Sequence, residues 1–242
     1  MKIDIKNLKK IINKFKGKKV LVIGDIMLDH FIWGKVKRIS PEAPVPVVEV
    51  VSESYMPGGA ANVAMNLNAL GISTDIIGVF GNDSNGELLQ KQLKKSKVNT
   101  KGMVKSSSAS TTKKSRIIAH NQQVVRVDRD SKNLTSDDED LIIARVKKMV
   151  PLFDGVIVED YGKGVISQHV FDEIIKVAKQ NNIFTSFDPK MGHDILCAGI
   201  DLCTPNLEEA RYLNKISSPN MPLDLPKQGE QLRENLGINN LL

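Results

Sequence analysis

The chain has 242 residues, 41% hydrophobic and 26% charged, enough for one large domain with a core and ordinary for a globular protein rather than a disordered or fibrous one. No apolar run approaches the ~20 residues of a membrane-spanning helix, and no apolar signal core follows Met1-Lys2-Ile3-Asp4, so the expectation is a cytoplasmic protein. The net charge of +6 is local: residues 1–19 carry eight lysines against Asp4, and the rest of the chain sums to −1.

That basic segment reads as a helix with Leu8, Ile11, Ile12 and Phe15 on one stripe. Its lysines read first as a solvated face, with no nucleic-acid or membrane partner expected; a role at either is the alternative reading. Residues 19–25, apolar and β-branched up to Gly24, read as a buried strand with the acids Asp25 and Asp29 just past its end. Strand carboxyl ends are where ligands collect in open α/β sheets, which makes Asp29 a candidate hydrogen-bond acceptor as well as a candidate turn residue. Residues 31–50 alternate, turn β-branched and contain three prolines, as suits strands off the main sheet, a lid. Pro57-Gly58-Gly59 then feeds a helix ending at Gly71, with Ala60, Val63, Ala64 and Leu67 on one face. Glycines admit a ligand close to the backbone, and a helix N-terminus favours anionic groups. An ordinary turn and core helix fit the same residues.

Residues 74–81 read as one strand and 84–97 as a helix with Leu88, Leu89 and Leu93 inward. Residues 112–128 read as a hairpin turning at His120-Asn121-Gln122-Gln123. Arg116 and Arg126 have the same parity in its arms, and a guanidinium suits a phosphate oxygen pair. A capping box from Ser136 to Glu139 opens a helix that Pro151 stops. The apolar strand 155–160 ends in Asp160-Tyr161-Gly162-Lys163-Gly164, where an Asp and a Lys on a glycine-flanked loop read as a substrate site. A helix over 167–181, a strand to Asp188-Pro189-Lys190 and a strand at 202–205 follow. Asn206, with Glu209 three later, is a helix N-cap with a capping box. Cys197 and Cys203 are expected as free thiols, and no further Cys or His stands at metal-ligand spacing.

Gly58-Gly59-Ala60-Ala61-Asn62, followed by Gly78-Val79-Phe80-Gly81-Asn82-Asp83, resembles the first signature of the ribokinase-like (PfkB) sugar kinases. The strings Arg38-Ile39-Ser40-Pro41-Glu42-Ala43-Pro44-Val45-Pro46-Val47 and Asp160 to Gly164 are similar to one subgroup, the kinases of D-glycero-D-manno-heptose 7-phosphate on the route to ADP-heptose and the lipopolysaccharide core. The resemblance implies an α/β ribokinase-like fold, a mostly parallel sheet between helices with a small β lid over about 31–55 and 111–129, in a single domain over 1–242 expected to be incomplete at its C-terminal, nucleotide-site part. It implies ATP-dependent phosphorylation at the anomeric C1 hydroxyl, with ATP and Mg²⁺ as cofactors. Asp29, Gly58, Gly59, Asn62, Arg116, Arg126, Asp160, Lys163 and Lys190 would meet the sugar phosphate. Asn206, Leu207, Glu208 and Glu209 would lie by the nucleotide, with Glu209 holding Mg²⁺ through water. A homodimer through the lid is a further implication. A ribokinase-like kinase of another sugar phosphate, and a non-catalytic sugar-phosphate-binding protein, are the alternatives. The family's second signature, the Gly-Ala-Gly-Asp loop, does not occur. The acids after Arg211 are Asp224, Glu230 and Glu234, none beside such glycines, so the general base is expected beyond Leu242 and the 242 residues alone are expected to be inactive or nearly so.

Overall fold

The computed structural model describes residues 4–131, 134–215 and 225–242; Lys2 and Asp224 lie outside them. Helix α1 (Ile5–Asn13) starts at Asp4, whose carboxylate accepts the N–H groups of Lys6 and Asn7. Strand β1 (Lys19–Gly24) carries Leu21, Val22 and Ile23 fully buried. Each such side chain contributes about 1.5–3 kcal/mol by leaving water. Beyond Asp25 the chain leaves in β2 (Ile26–Ile39) and returns antiparallel in β3 (Pro46–Gly59). The two glycines expected as a loop are therefore the last residues of a strand, abutting helix α2 (Ala60–Ala69).

Strands β4 (Ser73–Ile77) and β5 (Val79–Gly81) follow, not the single strand expected over 74–81. The break is at Gly78, where a Cβ would collide with the Gly24 carbonyl oxygen and the Ile26 side chain. The chain can pass that point only without a side chain, and there it switches sheets. Helix α3 (Ser84–Lys95) is capped by Asp83, and β6 (Val104–Ser106), which the sequence did not announce, pairs with β5. Strands β7 (Lys113–Ala119) and β8 (Gln122–Arg129) turn at His120 and Asn121, both left-handed with φ of 51° and 62°. Two consecutive positive φ values match the twist of a tight hairpin.

Helix α4 (Ser136–Met149) is capped one residue earlier than expected. Thr135 is the N-cap, and Asp138 closes the box by accepting the Thr135 N–H. Strand β9 (Gly155–Glu159), helix α5 (Gln168–Gln180) and strand β10 (Phe184–Asp188) follow. The chain continues with β11 (Leu202–Cys203), α6 (Leu207–Leu213), α7 (Leu225–Leu236) and β12 (Asn240–Leu241). Cys197 and Cys203 are free and buried.

The main sheet is parallel, in the order β12-β11-β10-β9-β1-β4. Alternate residues of β1 feed two cores, as the period of two requires. Leu21 and Ile23 pack with Ile142, Val146, Ile174 and Phe187, the side of α4 and α5. Val22 packs with Ala60, Ala64, Leu89 and Leu93, the side of α2 and α3. A sheet covered on both faces explains the unbroken apolar run of β1. The second sheet has the order β3-β2-β7-β8. It is rooted where β1 ends, so its base and the carboxyl ends of β1, β9 and β10 meet.

Candidate functional site

Directly paired strand residues point the same way, and register alone therefore gathers charge on one face of the second sheet. Asp29 pairs with Met56 on one side and Lys114 on the other, and Lys114 pairs with Asp128. Two residues on, Phe31, Arg116 and Arg126 form the next row. The Arg116 guanidinium donates to Asp29 at 2.5 Å and lies 5.3 Å over the Phe31 ring. Arg126 grips Asp128 with two parallel bonds of 2.7 Å, which hold the Asp128 carboxyl below its usual range.

Lys163, on the loop after β9, pairs with Asp130 at 2.8 Å. Lys114 makes no ion pair among the described residues. Burial, followed by the nearby Arg126 and Lys163 charges, pushes its ammonium below the ordinary lysine value. Cations crowded together in this way form a place for an anion.

The glycines serve the same face. A Cβ on Gly58 would overlap the Asp29 carboxylate, and one on Gly59 the Asp25 carbonyl oxygen. Gly59 also needs φ +59°, a conformation glycine adopts readily. Asn62 stands in the first turn of α2, exposed, its side chain without a hydrogen-bond partner among the described residues.

Asp25 is 1% exposed. Its carboxylate accepts the backbone N–H groups of Tyr161, Lys163 and Val165 at 2.8–3.0 Å. Its own carbonyl accepts the Ala60 N–H at 3.0 Å. Asp160 faces beneath the same loop, with one oxygen accepting the Gly162 N–H at 2.8 Å and the other 2.6 Å from His193 Nδ1. Both Asp160 oxygens thus have protein partners, and burial raises its carboxyl above the usual range despite them. Lys190 is exposed, its stem running past Gly162.

Glu159 and Asp188, paired in register at the ends of β9 and β10, form an acidic floor. Burial, then the neighbouring Asp188 charge, pushes Glu159 up to about 8, opposed by a hydrogen bond from Tyr161. Burial also raises Asp188, although Thr204 Oγ1 donates to it at 3.0 Å. Tyr161 is pushed up to about 12, first by burial and then by Glu159 and Asp188.

The capping box of α6 forms as its spacing indicates. The Asn206 side chain accepts the Glu208 and Glu209 N–H groups, and Glu209 Oε2 accepts the Asn206 N–H at 2.9 Å. Glu208 pairs with Arg211, and Leu207 lies at the rim of an apolar cavity of about 700 Å³ with Pro205, Ala210, Leu232 and Leu241. Among the described residues no three carboxylate, imidazole or thiolate groups converge to hold a metal ion unaided.

The site divides into two neighbourhoods. Asp29, Gly58, Gly59, Arg116, Arg126 and Lys163 come together where the sheets meet, with Asp160 under their loop and Lys190 at its rim. Asn206 to Glu209 lie at the end of β11. Sequence reasoning missed Lys114, Tyr161, Glu159 and His193, and saw Asp25 without its role. Lys114 could have been found, because it has the parity of Arg116; His193 lies in an irregular segment with no pattern to flag it.

A family model described as pfkB family carbohydrate kinase matches residues 17–237. The chain belongs to this family of sugar kinases. The curated "Bifunctional protein HldE" of Wolinella succinogenes is 44% identical over 193 residues, covering 79% of this chain and 41% of that protein. The protein of the same name from Desulfatibacillum aliphaticivorans is 38% identical over 232 residues, covering 96% and 47%. The chain thus spans less than half the length of these relatives. Among solved structures, the tetrameric inhibited form of Escherichia coli phosphofructokinase-2 superposes with a TM-score of 0.69 at 17% identity, over 91% of this chain and 71% of that one. Arabidopsis thaliana ribokinase complexed with ribose and ATP gives 0.66 at 17% identity, over 93% and 71%. At such identities the likeness establishes the ribokinase-type fold expected from the sequence. No helix among the described residues is long and apolar enough to cross a membrane.

A carboxyl with a raised pKa destabilises the fold once it must ionise. Between its unfolded value near 4.5 and the folded value of about 8, the native protein binds the extra proton, so stability falls as pH rises. Asp160 and Asp188 are shifted in the same direction. Glu159→Gln should flatten the decline across that window, measured by urea unfolding at its two ends. An unchanged slope would show that Glu159 is not the group responsible.

Proposed function

We propose that this chain supplies the sugar-binding half of a kinase that uses ATP to phosphorylate D-glycero-D-manno-heptose 7-phosphate at C1, giving the 1,7-bisphosphate for ADP-heptose synthesis. The carrying observation is the cationic group Lys114, Arg116, Arg126 and Lys163 beside Asp29 and the Gly58–Gly59 backbone. A phosphorylated sugar needs both parts. Carboxylates and open peptide groups meet hydroxyls, and cations meet the phosphate oxygens. The relatives' shared name and the strings at residues 38–47 and 160–164 support heptose 7-phosphate as that sugar.

The second sheet acts as a lid over the sugar, and Asn206 to Glu209 lie by the nucleotide's phosphates. The oxygen donors there suit Mg²⁺, which keeps much of its water and takes few protein ligands. One Glu209 oxygen is committed to Asn206 and the other is left for a metal-bound water. The ion would offset charge on the transferring phosphoryl group. In the transfer, the bond from the γ-phosphorus to the bridging oxygen of ADP breaks, a bond to the sugar O1 forms, and the hydroxyl proton goes to a base. No Gly-Ala-Gly-Asp loop lies within the 242 residues, so the reading has them bind the sugar phosphate without turnover.

Calorimetric titration with the heptose 7-phosphate and with the unphosphorylated heptose tests the assignment. The phosphate ester should bind far more tightly, and Lys114→Met or Lys163→Met should each weaken it roughly tenfold or more while leaving the free sugar unaffected. A folded sample indifferent to the phosphate would sink the heptose 7-phosphate reading.

A homodimer through the second sheet is part of the same proposal. Edge strand β8 is exposed along its length, and Val125 and Val127 leave apolar surface open on the face opposite Arg126, a surface that pairing would cover. Sedimentation velocity should show a concentration-dependent dimer that Val127→Glu dissociates. A monomer at all concentrations would remove it.

A further inference from the structure

We infer that α1 is a docking element for an anionic lipid surface. On a helical wheel Ile5, Leu8, Ile11 and Ile12 fall on one arc, while Lys6, Lys9, Lys10, Asn13 and Lys14 fill the remainder. The apolar arc does not pack on the body of the protein: no residue of α1 is buried. Ile5, Leu8, Ile11 and Ile12 are 66%, 46%, 52% and 40% exposed. An amphipathic helix normally owes its place to burial of its apolar stripe, and here the stripe faces outward.

The charge around the stripe selects the occupant. The only acid of residues 1–19 is Asp4, the N-cap, and the remainder of the chain is nearly neutral. Lysines flank both sides of the stripe, and Lys16 and Lys18 continue the charge past the helix end. A bilayer interface satisfies both halves at once. The apolar arc enters the boundary between headgroups and acyl chains, and the lysines reach up to anionic headgroups. A nucleic acid would neutralise the lysines and leave the isoleucines in water. The chain geometry permits this contact, because α1 enters the main sheet at the amino end of β1, opposite the carboxyl ends where the sugar site lies. Lys18, paired with Asp154 at 2.8 Å, ties the segment between helix and sheet to the body.

The test is co-sedimentation of the full 242-residue chain with vesicles of phosphatidylcholine alone and of phosphatidylcholine mixed with phosphatidylglycerol, with polyuridylate RNA as competitor. Two variants accompany it, Leu8→Asp with Ile12→Asp, and Lys9→Gln with Lys10→Gln and Lys14→Gln. None of these side chains is buried, so the thermal unfolding midpoint should be unchanged and confirms folding. The parent should bind only the anionic vesicles, each variant should lose more than about tenfold in affinity, and the RNA should not displace it. The inference is overturned if the parent stays unbound, if the aspartate variant binds as well as the parent, or if RNA takes the protein from the vesicles.

Discussion

The candidate site depends on one buried carboxylate. Asp25 lies where β1 ends and the second sheet begins, and it takes three backbone N–H groups from the loop after β9. Three converging N–H donors satisfy polar oxygens that burial would otherwise leave unpaired at a cost. Through its main-chain oxygen the same residue receives the first N–H of α2. One residue thus ties the Tyr161–Gly164 loop, through its side chain, and the start of α2, through its main chain, to the root of β2. Lys163 reaches the cationic face because Asp25 holds its backbone.

Around that anchor lie two groups of charges. Glu159, Asp160 and Asp188 lie at the ends of the main-sheet strands, where burial drives their carboxyls toward the protonated form. Lys114, Arg116 and Arg126 lie on the second sheet with Lys163 facing them from the loop; Asp29, Asp128 and Asp130 pair with Arg116, Arg126 and Lys163, and Lys114 has no ion pair among the described residues. A polyhydroxylated ligand with one anionic end fits such a gradient, with hydroxyls toward the acids and the anion toward the cations. This arrangement connects the fold to the kind of substrate proposed, because the cations stand on one side of the site and the buried carboxyls on the other.

Much of this was legible in the sequence wherever a single element carries its own pattern. β1 announced itself by an apolar run and α6 by Asn206 and Glu209. What was not legible depended on contacts between distant segments. Gly78 looks like an ordinary strand glycine until Gly24 and Ile26 are placed against it, and only then does the strand divide. Thr135 and Ser136 are both acceptable caps; with Thr135 as the cap, Asp138 closes the box and also accepts a bond from Ser106 on β6, a contact no local pattern shows. Asp25 read as one of two acids past a strand, and nothing local separates it from Asp29; their different roles come from the β9 loop, more than a hundred residues away. The family resemblance found the Gly58–Gly59 and Asp160–Gly164 segments but did not include Lys114 among the site residues.

The most direct measurement is amide hydrogen exchange of the parent and of Asp25→Ala, each with and without heptose 7-phosphate. The Tyr161, Lys163 and Val165 amides should be protected in the parent and exchange together, much faster, in the variant, while the β1 and β9 amides stay protected. The variant should also lose the protection that the ligand adds in the parent. If those three amides remain protected without the carboxylate, or if the variant binds the sugar phosphate as the parent does, Asp25 is not the anchor of the site.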